Sequence, residues 1–302
     1  MWSHDRHRKW IESQGNDAMT QFENIGSEFA LRTPIMVLAF EGWNDAGESA
    51  TGAVAHLLNC WPHSKIADCD PEDFYDFQVN RPTVKVDTNI VREIHWPNTT
   101  IYGVSTPHLE HDFIIVKGIE PSMRWKTFAN SLLDLADDYE VELVITMGSL
   151  LADVPHSRSF TVSGSGAHPD VAQRLGVEVS KYEGPTGIIG VIQDTCNQRG
   201  IDAVSLWVAI PHYVSQPPCP KGSLALVNAL EDFLDLAIPE GELPVQAATW
   251  EESVNKLALE DSEIAEYVKQ LESSKDESDL PEASGDLIAK EFERYLRRQD
   301  KG

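Results

Sequence analysis

The sequence is short of the residues that usually announce chemistry. Only four cysteines, Cys60, Cys69, Cys196 and Cys219, occur in 302 residues, and no two are spaced C-x-x-C. That removes the spacing of a zinc or redox site and leaves reduced thiols that behave as small hydrophobes. No apolar run approaches the roughly 18 residues a membrane helix needs. No apolar stretch follows the polar start at Asp5, Arg6, Arg8 and Lys9, so the expectation is no signal peptide and a cytoplasmic protein. Positive charge is scarce: 24 Lys and Arg stand against 49 Asp and Glu, a formal charge of -25. Such a surface repels phosphate backbones and anionic lipid headgroups, so neither nucleic acid nor a membrane is an expected partner. There is no G-x-S-x-G elbow to anchor a serine hydrolase. No cofactor is expected.

What is present is the pattern of a layered protein. Ile35-Met36-Val37-Leu38-Ala39-Phe40 is short, continuous and bounded by Pro34 and Gly42, the signature of a strand buried on both faces. Similar runs recur at 113–116, 141–147 and 203–210. Helical patterns lie near them at 46–61, 123–139, 168–175, 191–198 and 222–237. The alternation predicts a three-layer α/β/α domain. Between Lys65 and Ser105, short β-rich pieces cut by Pro82, Pro97 and Asn98 predict inserted hairpins, some extending the main sheet in antiparallel fashion. Residues 1–30 read as an N-terminal extension with a short helix near 17–22, and 31–240 as the α/β core. Residues 241–302 read as an acidic helical appendage, with one helix over 247–274 and a last one over 286–298.

Three segments hold candidate sites. Phe40 to Glu48 joins the first core strand to its helix, where open α/β proteins bind ligands. Glu41, Trp43, Asn44 and Asp45 are its candidate contacts. Capping alone also accounts for Asp45 and Glu48, which have capping-box spacing. The loop after the third core strand offers Asp153, His156 and Arg158 as carboxylate, base and anion clamp, or as a solvated or intersubunit loop. His212 and Tyr213 lie in a proline-stiffened stretch that reads as a recognition loop or a turn. Ser163-Gly164-Ser165-Gly166 reads as a flexible loop, because it lacks the lysine of a phosphate loop and the dinucleotide pattern. His108, Glu110, His111 and Asp112 have ligand chemistry, but Pro107 and the following strand break the helix their spacing needs. Cys196 reads as a buried thiol rather than a nucleophile.

Three separated segments, PIMVLAFEGWNDAGESATGAV, ITMGSLLADVPHSR and AVSLWVAIPHYVSQPPCPKGSLALVNAL, together resemble the proteasome assembly chaperone family, its actinobacterial branch in particular. The resemblance covers Pro34 to Leu236. It implies a phosphorylase/hydrolase-like fold near the purine nucleoside phosphorylases, and self-association, as a homotrimer. Members in eukaryotes and archaea help assemble proteasome rings; for the bacterial branch the resemblance implies no settled function. Archaeal members dock through a C-terminal hydrophobic-Tyr-any-residue tail. Here Tyr295 is too far from the final Gly302 for that route to be expected. The reading is a non-catalytic homo-oligomeric binding or assembly protein with an unidentified protein partner. The alternative is a nucleoside phosphorylase- or hydrolase-like enzyme using Glu41, Asn44, Asp45, Asp153, His156 and Arg158 on a small anionic or nucleoside-like substrate.

Overall fold

The computed structural model describes residues 22–26, 30–86, 88, 90–214, 216–278, 293–294 and 296–298. Of the expected helix near 17–22 only Phe22 lies within them, and it opens a strand instead; most of the helix expected over 286–298 lies outside them, as does Tyr295. Strand β1 (Phe22–Asn24) opens the chain, followed by β2 (Ile35–Glu41) and helix α1 (Ser49–Cys60). Next come β3 (His63–Cys69), the short α2 (Pro71–Phe74), and the hairpin strands β4 (Thr83–Val86) and β5 (Arg92–His95). They are followed by β6 (Thr99–Val104), β7 (Phe113–Ile119), α3 (Trp125–Asp138) and β8 (Leu143–Ala152). Then come β9 (Val162–Gly166), α4 (Pro169–Leu175), β10 (Glu178–Val179), α5 (Ile188–Arg199) and β11 (Asp202–Pro211). Helices α6 (Pro220–Leu234), α7 (Leu243–Glu260) and α8 (Ser262–Ser278) complete the described elements of regular length.

Nine strands form one sheet in the order β1-β3-β6-β7-β2-β8-β11-β9-β10. Its centre, β7-β2-β8-β11, is parallel throughout. Period-two alternation sends β2 into two cores. Met36, Leu38 and Phe40 pack under α3 and α5, with Phe128, Leu132, Ile188 and Ile192. Val37 and Ala39 pack on the other face under α1 and α6, with Val54, Leu57, Leu226 and Leu230. Burying each such large aliphatic or aromatic side chain stabilises the fold by about 1.5–3 kcal/mol. The α/β/α layering therefore stands as the runs predicted.

The inserted β segment divides. β3 and β6 join the main sheet in antiparallel fashion, whereas β4 and β5 pair only with each other. Two expectations are corrected. Ser163 to Gly166 is not a loop: it is β9, antiparallel to β11 from Val204 to Val208, so ladder pairing overrides the poor strand propensity of glycine and serine. The helix expected over 247–274 is two helices. The Asp261 carboxylate accepts from Glu263 N (2.9 Å) and Ile264 N (3.3 Å), capping α8 and ending the first helix. Leu257 and Leu259, near the end of the first of these helices, are exposed. Among the described residues, no helix is long and apolar enough to cross a membrane.

Candidate functional site

The corner after β2 is built around one buried carboxylate. Asp45 Oδ1 accepts from Ala50 N (2.8 Å) and Thr51 N (3.2 Å), and its Oδ2 accepts from the Thr51 hydroxyl. Asp45 thus caps α1 from several residues upstream, across a 3-10 turn at Ala46–Glu48. The turn exists because Gly47 adopts φ 59°, against Ile210 and Cys219, where an added Cβ would lie 2.8 and 2.9 Å from their atoms. Glu48 also has positive φ and makes no capping bond, so the capping box suggested by spacing does not form. Burial pushes the Asp45 carboxyl above its usual range, against the hydrogen bonds from Thr51 and Ala50. The corner is stitched to β8: Ser149 N donates to Asn44 O (2.8 Å) and Ser149 Oγ to Ala46 O (2.9 Å).

A residue that local patterns do not flag completes the corner. Glu120, just past β7, accepts at Oε1 from Asn44 Nδ2 (3.0 Å) and from Ile188 N (2.8 Å), the first residue of α5. A carboxylate there satisfies an unpaired amide and meets the positive end of the helix. Gly187 makes the approach possible, since a Cβ on it would lie 2.1 Å from Asn44 Nδ2. Glu41 stays exposed, with its carboxyl pushed up, chiefly by desolvation. Trp43 stands 65% exposed above this network.

The second group of candidates gathers elsewhere, beneath α7 and α8. Tyr213 Oη accepts from His156 N (2.8 Å) and lies 2.7 Å from His156 Nδ1. His156 Nε2 lies 3.1 Å from Asn255 Oδ1 in α7. An amide oxygen only accepts, so Nε2 carries the proton and Nδ1 accepts the Tyr213 hydroxyl. The ring is neutral and saturated, and burial lowers its pKa. Burial likewise pushes the Tyr213 hydroxyl up to about 12. Arg158 forks onto Asp276 of α8 at 2.8 and 2.7 Å. Asp153 meets His212 (3.1 Å) and accepts from Tyr267 Oη (3.0 Å). Lys221 ties the His156 carbonyl (2.6 Å) to Glu251 (2.5 Å). The described hydrogen bonds and ion pairs of this group and of the corner share no side chain, so Asn44 and Asp45 of the enzyme alternative are bonded apart from Asp153, His156 and Arg158, and Glu41 makes no described side-chain bond with either set.

Of the remaining candidates, His108 and Glu110 are exposed, whereas Asp112, His111 and the buried cysteines are engaged in the fold. Asp112 holds Arg32 by two side-chain contacts (3.1 and 3.0 Å), and His111 Nδ1 lies 3.0 Å from the Thr33 hydroxyl. All four cysteines are free; Cys60 is half-buried and the others are buried. Burial raises the Cys196 thiol to about 12, far from a nucleophile's range.

A sheet with a parallel centre, helices on both faces and antiparallel pairings toward both edges places the molecule among layered α/β proteins. The chain belongs to the PAC2 family, which it matches over residues 39–258. It is 54% identical to a PAC2 family protein from Streptomyces avermitilis whose crystal structure it resembles with a TM-score of 0.73, over 78% of this chain and 99% of that one. It is 45% identical to a proteasome-assembly chaperone homologue of Mycobacterium tuberculosis, with a TM-score of 0.71 over 78% and 99%. An archaeal proteasome activator from Pyrococcus furiosus, 21% identical, shares the fold with a TM-score of 0.62 over 79% and 99%. A curated relative, a ribosomal RNA small subunit methyltransferase A of Cupriavidus pinatubonensis, is 27% identical over 141 residues, and the chain spans 45% of its length.

Proposed function

We propose that this protein is a non-catalytic, self-associating, assembly-chaperone-like protein that acts through protein contacts at the carboxyl end of its parallel strands, with a trimer as its assembled state. The observation that carries this is the state of the corner. Asn44, Asp45, Glu120 and Ser149 direct their polar groups inward to one another and to helix ends, while Trp43 is presented outward. Exposed tryptophan is a common anchor of protein interfaces. Candidates Glu41 and Trp43 are the contact residues on this reading. Asp153, His156, Arg158, His212 and Tyr213 hold the C-terminal helices in place. Kinship with a proteasome-assembly chaperone homologue supports a role in assembly. The formal charge of -25 weighs against an RNA substrate of the methyltransferase kind.

The test is capture from the protein's own lysate with the wild-type chain and with Trp43→Asp. A protein recovered by the wild type and lost by the variant supports the reading. Recovery of this chain alone from the lysate, with a monomeric mass in solution, overturns it. Turnover in a panel of nucleosides with phosphate would move the assignment to the enzyme alternative.

A further inference from the structure

The hairpin β4–β5 is a second unusual feature, outside the corner. Every one of its eight strand residues is exposed, so it has no core-facing side. Val84, Val86, Ile94 and Trp96 all lie open, together with Ile90 in the connection. Two-stranded ribbons are marginal in water, and apolar patches of this kind mark interaction surfaces. At the base of the hairpin Phe77 meets Trp96 at 4.8 Å between ring centroids.

Its charge is as unusual as its exposure. Anions outnumber cations about two to one in this chain, and the described arginines elsewhere find carboxylates. Arg32, Arg124, Arg158, Arg174, Arg199, Arg294, Arg297 and Arg298 are all ion-paired. The hairpin and the residues at its base, 81–96, form an arm; Arg81, two residues before β4, and Arg92 in β5 are the described arginines without such a pair. Lys85 between them has none either, and the arm's Glu93 pairs with His95. Unpaired arginines beside exposed tryptophan and isoleucine are the composition of an interface anchor. Such an anchor calls for an acidic partner surface with apolar ground, and a chain of charge -25 is one.

The fold puts both halves of such a contact at one end. The arm rejoins the sheet at Thr99, which pairs with Gly118 near the carboxyl end of β7. The corner sits at that same end, where Trp43, Leu150 and Leu151 are exposed beside Glu41 and Glu48. We infer that the arm of one copy docks on the acidic, tryptophan-bearing corner of the next, with Arg81 and Arg92 facing Glu41 and Glu48. Because arm and corner are different surfaces, the contact is head-to-tail and repeats until a ring closes. That geometry is the one an odd-numbered assembly requires. The inference rests on the self-associating reading above and names the elements that would carry it.

Light scattering on the full-length chain tests it. The wild type should run as a trimer. Arg81→Glu with Arg92→Glu should weaken assembly by at least about tenfold, with the remaining mass monomeric. Adding Glu41→Lys and Glu48→Lys to that variant should restore assembly, a rescue that simple misfolding would not give. Trp43→Ser provides a second route, should the double reversal fail to fold. A monomeric wild type overturns the self-association reading itself. An oligomeric wild type whose mass survives both the double reversal and Trp43→Ser overturns the arm-to-corner contact and leaves that reading standing.

Discussion

Strand β2 and the arm are opposites made from similar residues. β2 is Ile, Met, Val, Leu, Ala and Phe, buried throughout until Glu41. The arm is also rich in Val, Ile and Trp, yet none of its strand residues is buried. The difference is neighbours. β2 is paired on both edges, by β7 and β8, and covered on both faces by helices. Among the described residues, nothing buries either face of the arm's two strands. Apolar residues in the first stabilise the monomer. Apolar residues in the second contribute little to it and await another surface.

The largest effect belongs to β2. Phe40 is fully buried and lies 5.7 Å from Phe128 in an edge-on contact. Phe40→Ala should cost about 4 kcal/mol in chemical denaturation, through lost transfer energy and the cavity left behind. A cost under about 1 kcal/mol would mean that β2 is not the centre of the core.

The corner ranks next. Asp45→Ala strands three donors at the start of α1, two of them backbone amides, and should cost about 2–3 kcal/mol. Asp45→Asn keeps an acceptor and should cost less than half of that. The sign with pH follows from the raised pKa. A carboxyl whose folded value is raised stabilises most when protonated, and loses that contribution as pH rises through the folded value. The wild type should therefore gain stability relative to Asp45→Asn as pH is lowered from neutral, read from unfolding midpoints between pH 7 and 4. No relative gain would show that the carboxylate is better solvated than its burial implies.

Tyr213→Phe should cost about 1 kcal/mol, as one hydroxyl that both accepts and donates is lost from His156. The sign for His156 is the reverse of that for Asp45. Its pKa is lowered, so its contribution is complete above the free value near 6.5 and fades as pH falls through the folded value. Melting profiles from pH 7.5 to 5 should fall on the acid side, and Tyr213→Phe, which relieves Nδ1 of its donor, should flatten that fall. An unchanged slope would detach His156 from the latch that holds the C-terminal helices.

The sequence exposed β2 more plainly than it exposed either site. A continuous apolar run between Pro34 and Gly42 has few alternatives to a buried strand. The corner was legible as a place, because a strand, a polar turn and a helix follow one another. Its wiring was not. Glu120 reaches Asn44 from another strand, and Ser149 from a third, and nothing local marks either. Gly47 moved the helix start to Ser49 for a tertiary reason, the nearness of Ile210 and Cys219. β9 was hidden because its pairing with β11 overrides a composition that reads as loop. The arm was legible as β structure, but its exposure depends on having no neighbour, which no pattern of residues states.

The smallest expected effect is the one that tests the comparison most directly. Ile94 faces no core within its own subunit, so Ile94→Ala removes little buried area there. Measured in the Arg81→Glu, Arg92→Glu chain, where the arm has no neighbour, it should change unfolding free energy by less than about 0.5 kcal/mol. The same substitution in the wild-type chain should raise the concentration needed for assembly, because the side chain then meets the next copy's corner. One residue would thus be neutral in the monomer and costly in the assembly, a split that Phe40→Ala cannot show. A cost in the monomer approaching that of Phe40→Ala would mean that the arm packs on its own subunit, and the contrast between the two regions would be gone.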